Sequence, residues 1–224
     1  MGQYIDAIQR PFSDWKKLGI TFLLFLVPVV NIITGFFAQG YFLECANSSM
    51  KKKKKLPEFK DWGDLFVKGL IAFAITLIYL IPVMILAVFS AASYASSFVN
   101  IDPNAFTFPP IPESMIPLLI ATLLVMLFTM YIMPAVVMMF AKNYKFKDSF
   151  EMGTIFSTAF TLKYLGMWGF VVLFMLVLLI ISQGIAYISN QVFVISIIVN
   201  AFLNAFIGIT IYTIYGHAFK EITS

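Results

Sequence analysis

Charged residues are scarce in this chain. Asp, Glu, Lys and Arg make up 12% of the 224 residues, whereas 61% are hydrophobic, and the mean hydropathy is +0.92. Soluble domains are about half apolar and about a quarter charged, so the composition argues against a water-soluble fold. It predicts an all-α integral membrane protein.

Residues that usually carry chemistry are also scarce. Cys45 is the only cysteine and His217 the only histidine, so a disulfide framework or a Cys/His metal cluster cannot form within one chain. The sequence contains neither a Gly-x-Ser-x-Gly elbow nor a Gly-rich phosphate loop. We therefore expect a protein without enzymatic activity, cofactor or metal.

The net charge of +4 does not indicate nucleic-acid binding. The lysines lie between long apolar runs rather than on one soluble basic face. The expected partner is the lipid bilayer, with anionic lipids in particular. A membrane protein partner or a second copy of the chain is a further expectation.

Three apolar runs are long enough to cross a membrane, and they cover residues 67–92, 115–141 and 162–219. A crossing needs about 20 residues, so the third run must contain two helices. The polar residues at 187–191 predict where it divides.

An earlier stretch, residues 12–46, is interrupted by Pro-Val-Val-Asn at 28–31. A single crossing would place Arg10, Lys16 and Lys17 opposite the lysines at 51–55, against the positive-inside preference. A reversal at the break places all 15 basic residues on one face. We therefore predict a hairpin whose tip is covered by other helices, with its first arm either spanning or re-entrant.

The pattern Phe-x-Asp recurs at 12–14, 59–61 and 146–148, each time before an apolar run. It predicts a single membrane domain, 1–224, with repeats at approximately 12–46, 59–141 and 146–219. Each repeat would be an amphipathic interfacial helix followed by a helical hairpin, giving six membrane-embedded helices. Chance recurrence in a Phe-rich chain is the alternative.

Within the repeats, we expect the aspartates to cap helix N-termini and the tryptophans to lie at headgroup level. These interfacial residues are Asp14, Trp15, Asp61, Trp62 and Asp148. The resulting topology is a multi-pass protein of the cell membrane with both termini cytoplasmic.

The segments PFSDWKK (11–17), VPVVN (27–31), GY (40–41) and LPEFKDWGDLFVKGL (56–70) resemble the domain-of-unknown-function 4013 family. The resemblance covers nearly the full length. It implies a small polytopic helical membrane protein of a mainly archaeal family, and it implies no activity and no catalytic residues. The run of five lysines departs from the family pattern, so any role it has would be particular to this chain.

Two sets of residues are candidate sites. The first is basic and could bind anionic headgroups at about 1 kcal/mol per residue or act only as a topology anchor: Lys51, Lys52, Lys53, Lys54, Lys55, Lys60 and Lys68. The second has small and amide side chains four residues apart, suited to helix packing or to a polar cavity: Asn31, Gly35, Gln39, Asn200, Asn204 and Gly208.

The leading hypothesis is a non-enzymatic membrane protein that organises lipid or a partner protein. The alternative is a transporter or channel for a small solute or lipid.

Overall fold

The long apolar runs fold into helices in the computed structural model, which describes residues 2–27, 30–96, 110–189 and 193–223, without the side chains of 186–189 and 193. These residues contain eight α-helices and no strand. The helices are α1 (Gly2–Gln9), α2 (Trp15–Leu26), α3 (Asn31–Met50), α4 (Trp62–Ala95), α5 (Ile116–Asn143), α6 (Met152–Ala159), α7 (Leu162–Ser189) and α8 (Phe193–Thr223). Short 3-10 turns cover Arg10–Ser13, Glu113–Met115 and Phe146–Phe150.

Four helical segments among the described residues are long and apolar enough to span a membrane: Trp62–Ala95, Glu113–Asn143, Leu162–Ile185 and Val194–Thr223. A helix satisfies its own backbone hydrogen bonds, as hydrocarbon requires. The all-helical class is therefore confirmed, and each predicted apolar run contains a helix, or two in the third run, long and apolar enough to cross. Helix α2 has 12 residues and is about 18 Å long at 1.5 Å per residue, and neither α2 nor α3 is among the four.

The chain divides into two compact units. One unit contains Thr76–Met133, and the other contains Met1–Ile75 together with Pro134–Ser224. In the unit that contains Thr76–Met133, the hydroxyls of Ser90 and Thr122 lie 3.5 Å apart. Each hydroxyl also donates to a carbonyl one turn earlier in its own helix.

The second unit is built around α3, which packs against α8 and α2. The C-terminal half of α3 is buried, including polar side chains at Asn47, Ser48 and Ser49. Its core contains Leu18, Ala38, Tyr41, Phe42, Cys45, Leu56, Leu65, Ala205 and Ile209. The central position of α3 brings its C-terminal end against several other segments, and the candidate site lies there.

The tip between α2 and α3 is exposed. Residues 28–29 lie outside the described part, but Val27 and Val30 are exposed and Ile32 keeps 79% of its surface accessible. The expectation that other helices cover this tip is wrong. The physical reason is local: Thr34 Oγ1 donates to Leu24 O at 2.6 Å, and Asn31, in the amide orientation that satisfies both of its side-chain atoms, donates through Nδ2 to Val27 O at 2.9 Å and to Leu24 O at 3.0 Å. These bonds supply carbonyls at the end of α2 with donors that water would otherwise provide.

The sequence predicts an interfacial helix before each hairpin, but the described residues before α4 form no such helix. Residues 53–61, which precede α4, are not helical. Pro57 has no N–H to donate to a helix, and the carbonyls of this segment accept hydrogen bonds from distant side chains instead. By contrast, α1 precedes α2, and α6 precedes α7.

Candidate anion site at the basic end

All 15 basic residues of the sequence belong to the unit that contains α3. Within that unit, hydrogen bonds join the end of α3 to the 3-10 turn before α2, to α8 and to the end of α5. We call this region the basic end, and we call residues 51–55 the lysine loop.

Arg10 is the buried centre of the basic end, with 5% of its surface exposed. Its Nη1 donates to Cys45 O and Thr213 Oγ1, each at 3.0 Å. Its Nη2 donates to Ser48 Oγ at 2.5 Å and to the carbonyls of Lys53 and Lys55 at 3.2 Å. Burial lowers the pKa of Arg10 from its ordinary value, but an arginine stays protonated in proteins. Arg10 therefore holds the backbone of the lysine loop against α3 and α8.

Lys17 makes a second attachment next to the loop. Only 8% of the residue is exposed, and its Nζ donates to Leu56 O at 2.9 Å and to Glu58 Oε1 at 2.7 Å. It also lies 3.0 Å from Asp14 Oδ2. The hydrogen bonds from Lys17 hold the pKa of both carboxyl groups below their usual values.

The lysine loop begins with a defined turn. Lys52 has a φ of 57°, and Lys52 N and Lys53 N donate to Ser49 O and Ser48 O at 2.8 and 2.9 Å. This pair of bonds is the Schellman motif, which satisfies carbonyls at the end of a helix. The loop backbone is thus held at its start by the turn and farther along by Arg10.

A cleft of about 680 Å³ opens beside the loop. Its basic lining residues are Lys51, Lys53, Lys54, Lys55 and Lys60, and its acidic lining residues are Glu44, Glu58, Asp61 and Asp64. Lys52 lines a neighbouring cleft of about 490 Å³ together with Arg10 and His217.

The acidic residues of the cleft are engaged by protein groups. Glu58 pairs with Lys17, and Lys68 pairs with Glu44 at 2.5 Å and with Asp64. Asp61 Oδ1 accepts from Asp64 N at 3.0 Å. The five lysines that line the cleft are exposed and make no ion pair with any described residue. The side chains that line the cleft carry a formal net charge of +1, and none of its positive charges has an ion-pair partner among the described residues.

Lys68 differs from the other predicted lysines. Besides its two carboxylate partners, its Nζ lies 3.9 Å from the centroid of the Tyr144 ring, a cation–π distance. Lys68 does not line the cleft. It instead forms ion pairs with two carboxylates of the cleft wall, those of Glu44 and Asp64.

The repeated aspartates occupy different environments. Asp14 accepts from Lys17 N at 3.2 Å at the start of α2, and Asp61 makes the equivalent bond at the start of α4. Asp148 instead lies inside the 3-10 turn and accepts from Asn143 Nδ2 at 2.9 Å. Trp15 is 65% exposed, whereas Trp62 stacks on Phe59 with 5.3 Å between ring centroids.

The small and amide residues are also divided among environments. Gln39 Nε2 donates to Tyr212 Oη at 2.5 Å between α3 and α8, and Gly208 faces the ring of Phe42 so closely that a Cβ would overlap it. Asn200 and Asn204 are exposed and donate to carbonyls one turn earlier in α8. Asn31 lies at the exposed tip. Apart from the chain neighbours of Gly35 and the backbone of its own helix, no atom of the described residues lies within 4 Å of the position that a Cβ of Gly35 would take. The structure therefore does not gather these residues around one cavity.

The sequence pattern identifies Arg10 and Lys17 only as charges that report topology, and it does not predict either as a site residue. The residues next to Arg10 in the sequence, such as Pro11, do not indicate that its guanidinium is buried, because its partners come from α3, the lysine loop and α8.

The fold defines a helical protein with the composition and helix lengths of a membrane protein. Residues 23–188 match the family model described as "Protein of unknown function (DUF4013)", so the chain belongs to this family, as its motifs indicated. Comparison with curated proteins and with solved structures returned no match. The residues that line the 680 Å³ cleft fall within the matched segment, whereas Arg10 and Lys17 precede it.

Proposed function

We propose that this protein is a non-enzymatic membrane protein that binds anionic lipid headgroups at its basic end. The observation that carries the proposal is the charge balance of the cleft. The carboxylates of its wall are engaged by Lys17, Lys68 and a backbone amide, while five exposed lysines face the same space and form no ion pair with a described residue. An anionic group supplies that missing partner.

The fixed backbone of the loop favours binding over topology anchoring alone. An anchor requires positive charge, but it does not require a defined loop conformation. Here Arg10 donates to the carbonyls of Lys53 and Lys55 in the lysine loop, and Lys17 donates to the carbonyl of Leu56, the residue that follows the loop. This preorganisation lowers the entropy cost of bringing the lysines together on a ligand.

The membrane arrangement is part of the proposal. Six embedded helices would form three hairpins, α2–α3, α4–α5 and α7–α8, with the basic end and both termini at the cytoplasmic face of the cell membrane. The positive-inside preference supports this orientation, because this arrangement of hairpins places all 15 basic residues on one face. Exposed apolar side chains at Ile5, Phe12 and Trp15 suit a position at headgroup level.

The test compares two triple variants with the same loss of charge. Lys53, Lys54 and Lys55 are changed to Gln in one, and Lys142, Lys145 and Lys147 in the other; all six are exposed, but only the first three line the cleft. Each purified protein is titrated with phosphatidylglycerol in non-ionic detergent, and lipid-induced thermal stabilisation and lipid retention in native mass spectrometry are measured.

We expect the loop variant to lose about 3 kcal/mol of binding free energy, or about a hundredfold in Kd, from about 1 kcal/mol per lysine. The Lys142, Lys145, Lys147 variant should bind like the unaltered protein. An equal loss in both variants would show a diffuse charge effect, and no loss in the loop variant would reject the cleft as the site.

A further inference from the structure

The cleft offers hydrogen-bond acceptors as well as positive charge. Glu58 uses Oε1 for Lys17, Asp61 uses Oδ1 for Asp64 N, and Asp64 uses Oδ2 for Lys68. The second oxygen of each carboxylate has no hydrogen-bond partner in the described part of the chain. The wall thus carries three carboxylate oxygens that can accept a bond, next to lysines that can hold a phosphate.

These carboxylates disfavour a headgroup with additional negative charge. A serine headgroup would bring its own carboxylate beside Glu58, Asp61 and Asp64, and a phosphomonoester would bring a second phosphate charge. Like charges at close range repel, and carboxylates have no proton to donate at neutral pH.

A zwitterionic headgroup is disfavoured for the opposite reason. The ammonium of ethanolamine or choline would lie among the five lysines that line the cleft, where like charges repel. Hydroxyl groups avoid both conflicts because they donate to a carboxylate oxygen without adding charge.

Resting on the proposed function, we infer that the cleft selects a polyol phosphodiester headgroup, such as phosphoglycerol or phosphoinositol. Its single phosphate charge is held by the lysines, and its hydroxyls donate to the free oxygens of Glu58, Asp61 and Asp64. The cleft volume of about 680 Å³ lies within the range of small-molecule sites, about 300–1,000 Å³.

The test measures relative affinity for lipids with matched chains. Phosphatidylglycerol and phosphatidylinositol are compared with phosphatidylserine, phosphatidic acid and phosphatidylethanolamine in the thermal-stabilisation assay. We expect the polyol lipids to bind about tenfold more tightly than the others, the size of one hydrogen bond to a charged group. Equal affinity for phosphatidylglycerol and the other two anionic lipids would overturn the inference while leaving anionic-lipid binding intact.

Glu58→Ala is the variant that tests the mechanism, since Lys17 keeps Asp14 and Leu56 O as partners. It should lose the preference for polyol lipids but still bind anionic lipids, because it removes an acceptor and a negative charge together. A preference that survives both Glu58→Ala and Asp64→Ala would overturn the role of the carboxylates.

The deacylated headgroup, glycerophosphoglycerol, distinguishes a membrane lipid from a soluble ligand. We expect it to stabilise the protein far less than the intact lipid. Equal stabilisation at equal concentration would overturn the lipid assignment and indicate a soluble phosphodiester. If the Lys53, Lys54, Lys55 variant binds every lipid normally, it is the proposed function that fails.

Discussion

At the residue scale, burial separates basic side chains with different tasks. Arg10 and Lys17 are buried and donate to backbone carbonyls of the lysine loop and of Leu56. The lysines that line the cleft are exposed and have no acidic partner among the described residues. The two buried basic side chains thus support the structure, whereas the exposed lysines of the cleft are free to bind a ligand.

Arg10→Ala should destabilise the protein by about 3 kcal/mol or more, because it leaves several buried acceptors without their donor. Arg10→Lys should lose less, since it retains the charge but not the planar fork that reaches five acceptors. Thermal unfolding in detergent measures both. Lys16→Ala, at an exposed position, is the control and should change stability by no more than about 0.5 kcal/mol. Equal stability of Arg10→Ala and the control would contradict the role assigned to Arg10.

At the element scale, α3 and the first turns of α4 cross in backbone contact. A Cβ at Gly40 would overlap the carbonyl of Leu65, and a Cβ at Gly69 would overlap the carbonyl of Phe36. Small residues allow helices to approach this closely. The approach also brings Glu44 within 2.5 Å of Lys68, so helix packing arranges one wall of the cleft.

Gly40→Ala should therefore force the two helices apart and cost about 1–3 kcal/mol. Gly35→Ala is the matched control on the same helix, because no described atom of another helix lies within 4 Å of its Cβ position. It should be neutral or stabilising by up to about 1 kcal/mol. Thermal unfolding of both variants checks this order, and a Gly40→Ala protein as stable as Gly35→Ala would disprove the close crossing.

At the scale of the whole molecule, the distribution of charge predicts orientation. Every basic residue lies in the unit that contains both termini, and the lysine loop lies beside the start of α2 through Arg10. A hairpin made by α2 and α3 is consistent with this proximity, whereas a single crossing would separate the two ends by the thickness of the membrane.

Cysteine labelling in intact cells tests this topology. In a Cys45→Ala background, single cysteines replace Ser13, Lys54 and Glu113, all of them exposed. Ser13→Cys and Lys54→Cys should react with an impermeant reagent only after the membrane is opened, and Glu113→Cys should react from outside. Reaction of Ser13→Cys from the same side as Glu113→Cys would exclude the hairpin and favour a single crossing.

The sequence by itself determined the helical class and the four long helices, because an apolar run of that length must satisfy its backbone internally. It also located the break before α3, and the aspartates at Asp14 and Asp61 precede helices as local capping patterns require. These features depend on residues within a few positions of one another.

Only the tertiary structure decided which basic residues are buried and which face the cleft. Arg10 is 35 residues from Cys45 and 203 residues from Thr213, and Gly40 meets a backbone carbonyl of another helix. The local periodicity of the sequence cannot predict contacts between residues this far apart in the chain. The balance of charge in the cleft, and with it the candidate anion site, arises from how α2, α3, α4 and α8 pack at the basic end.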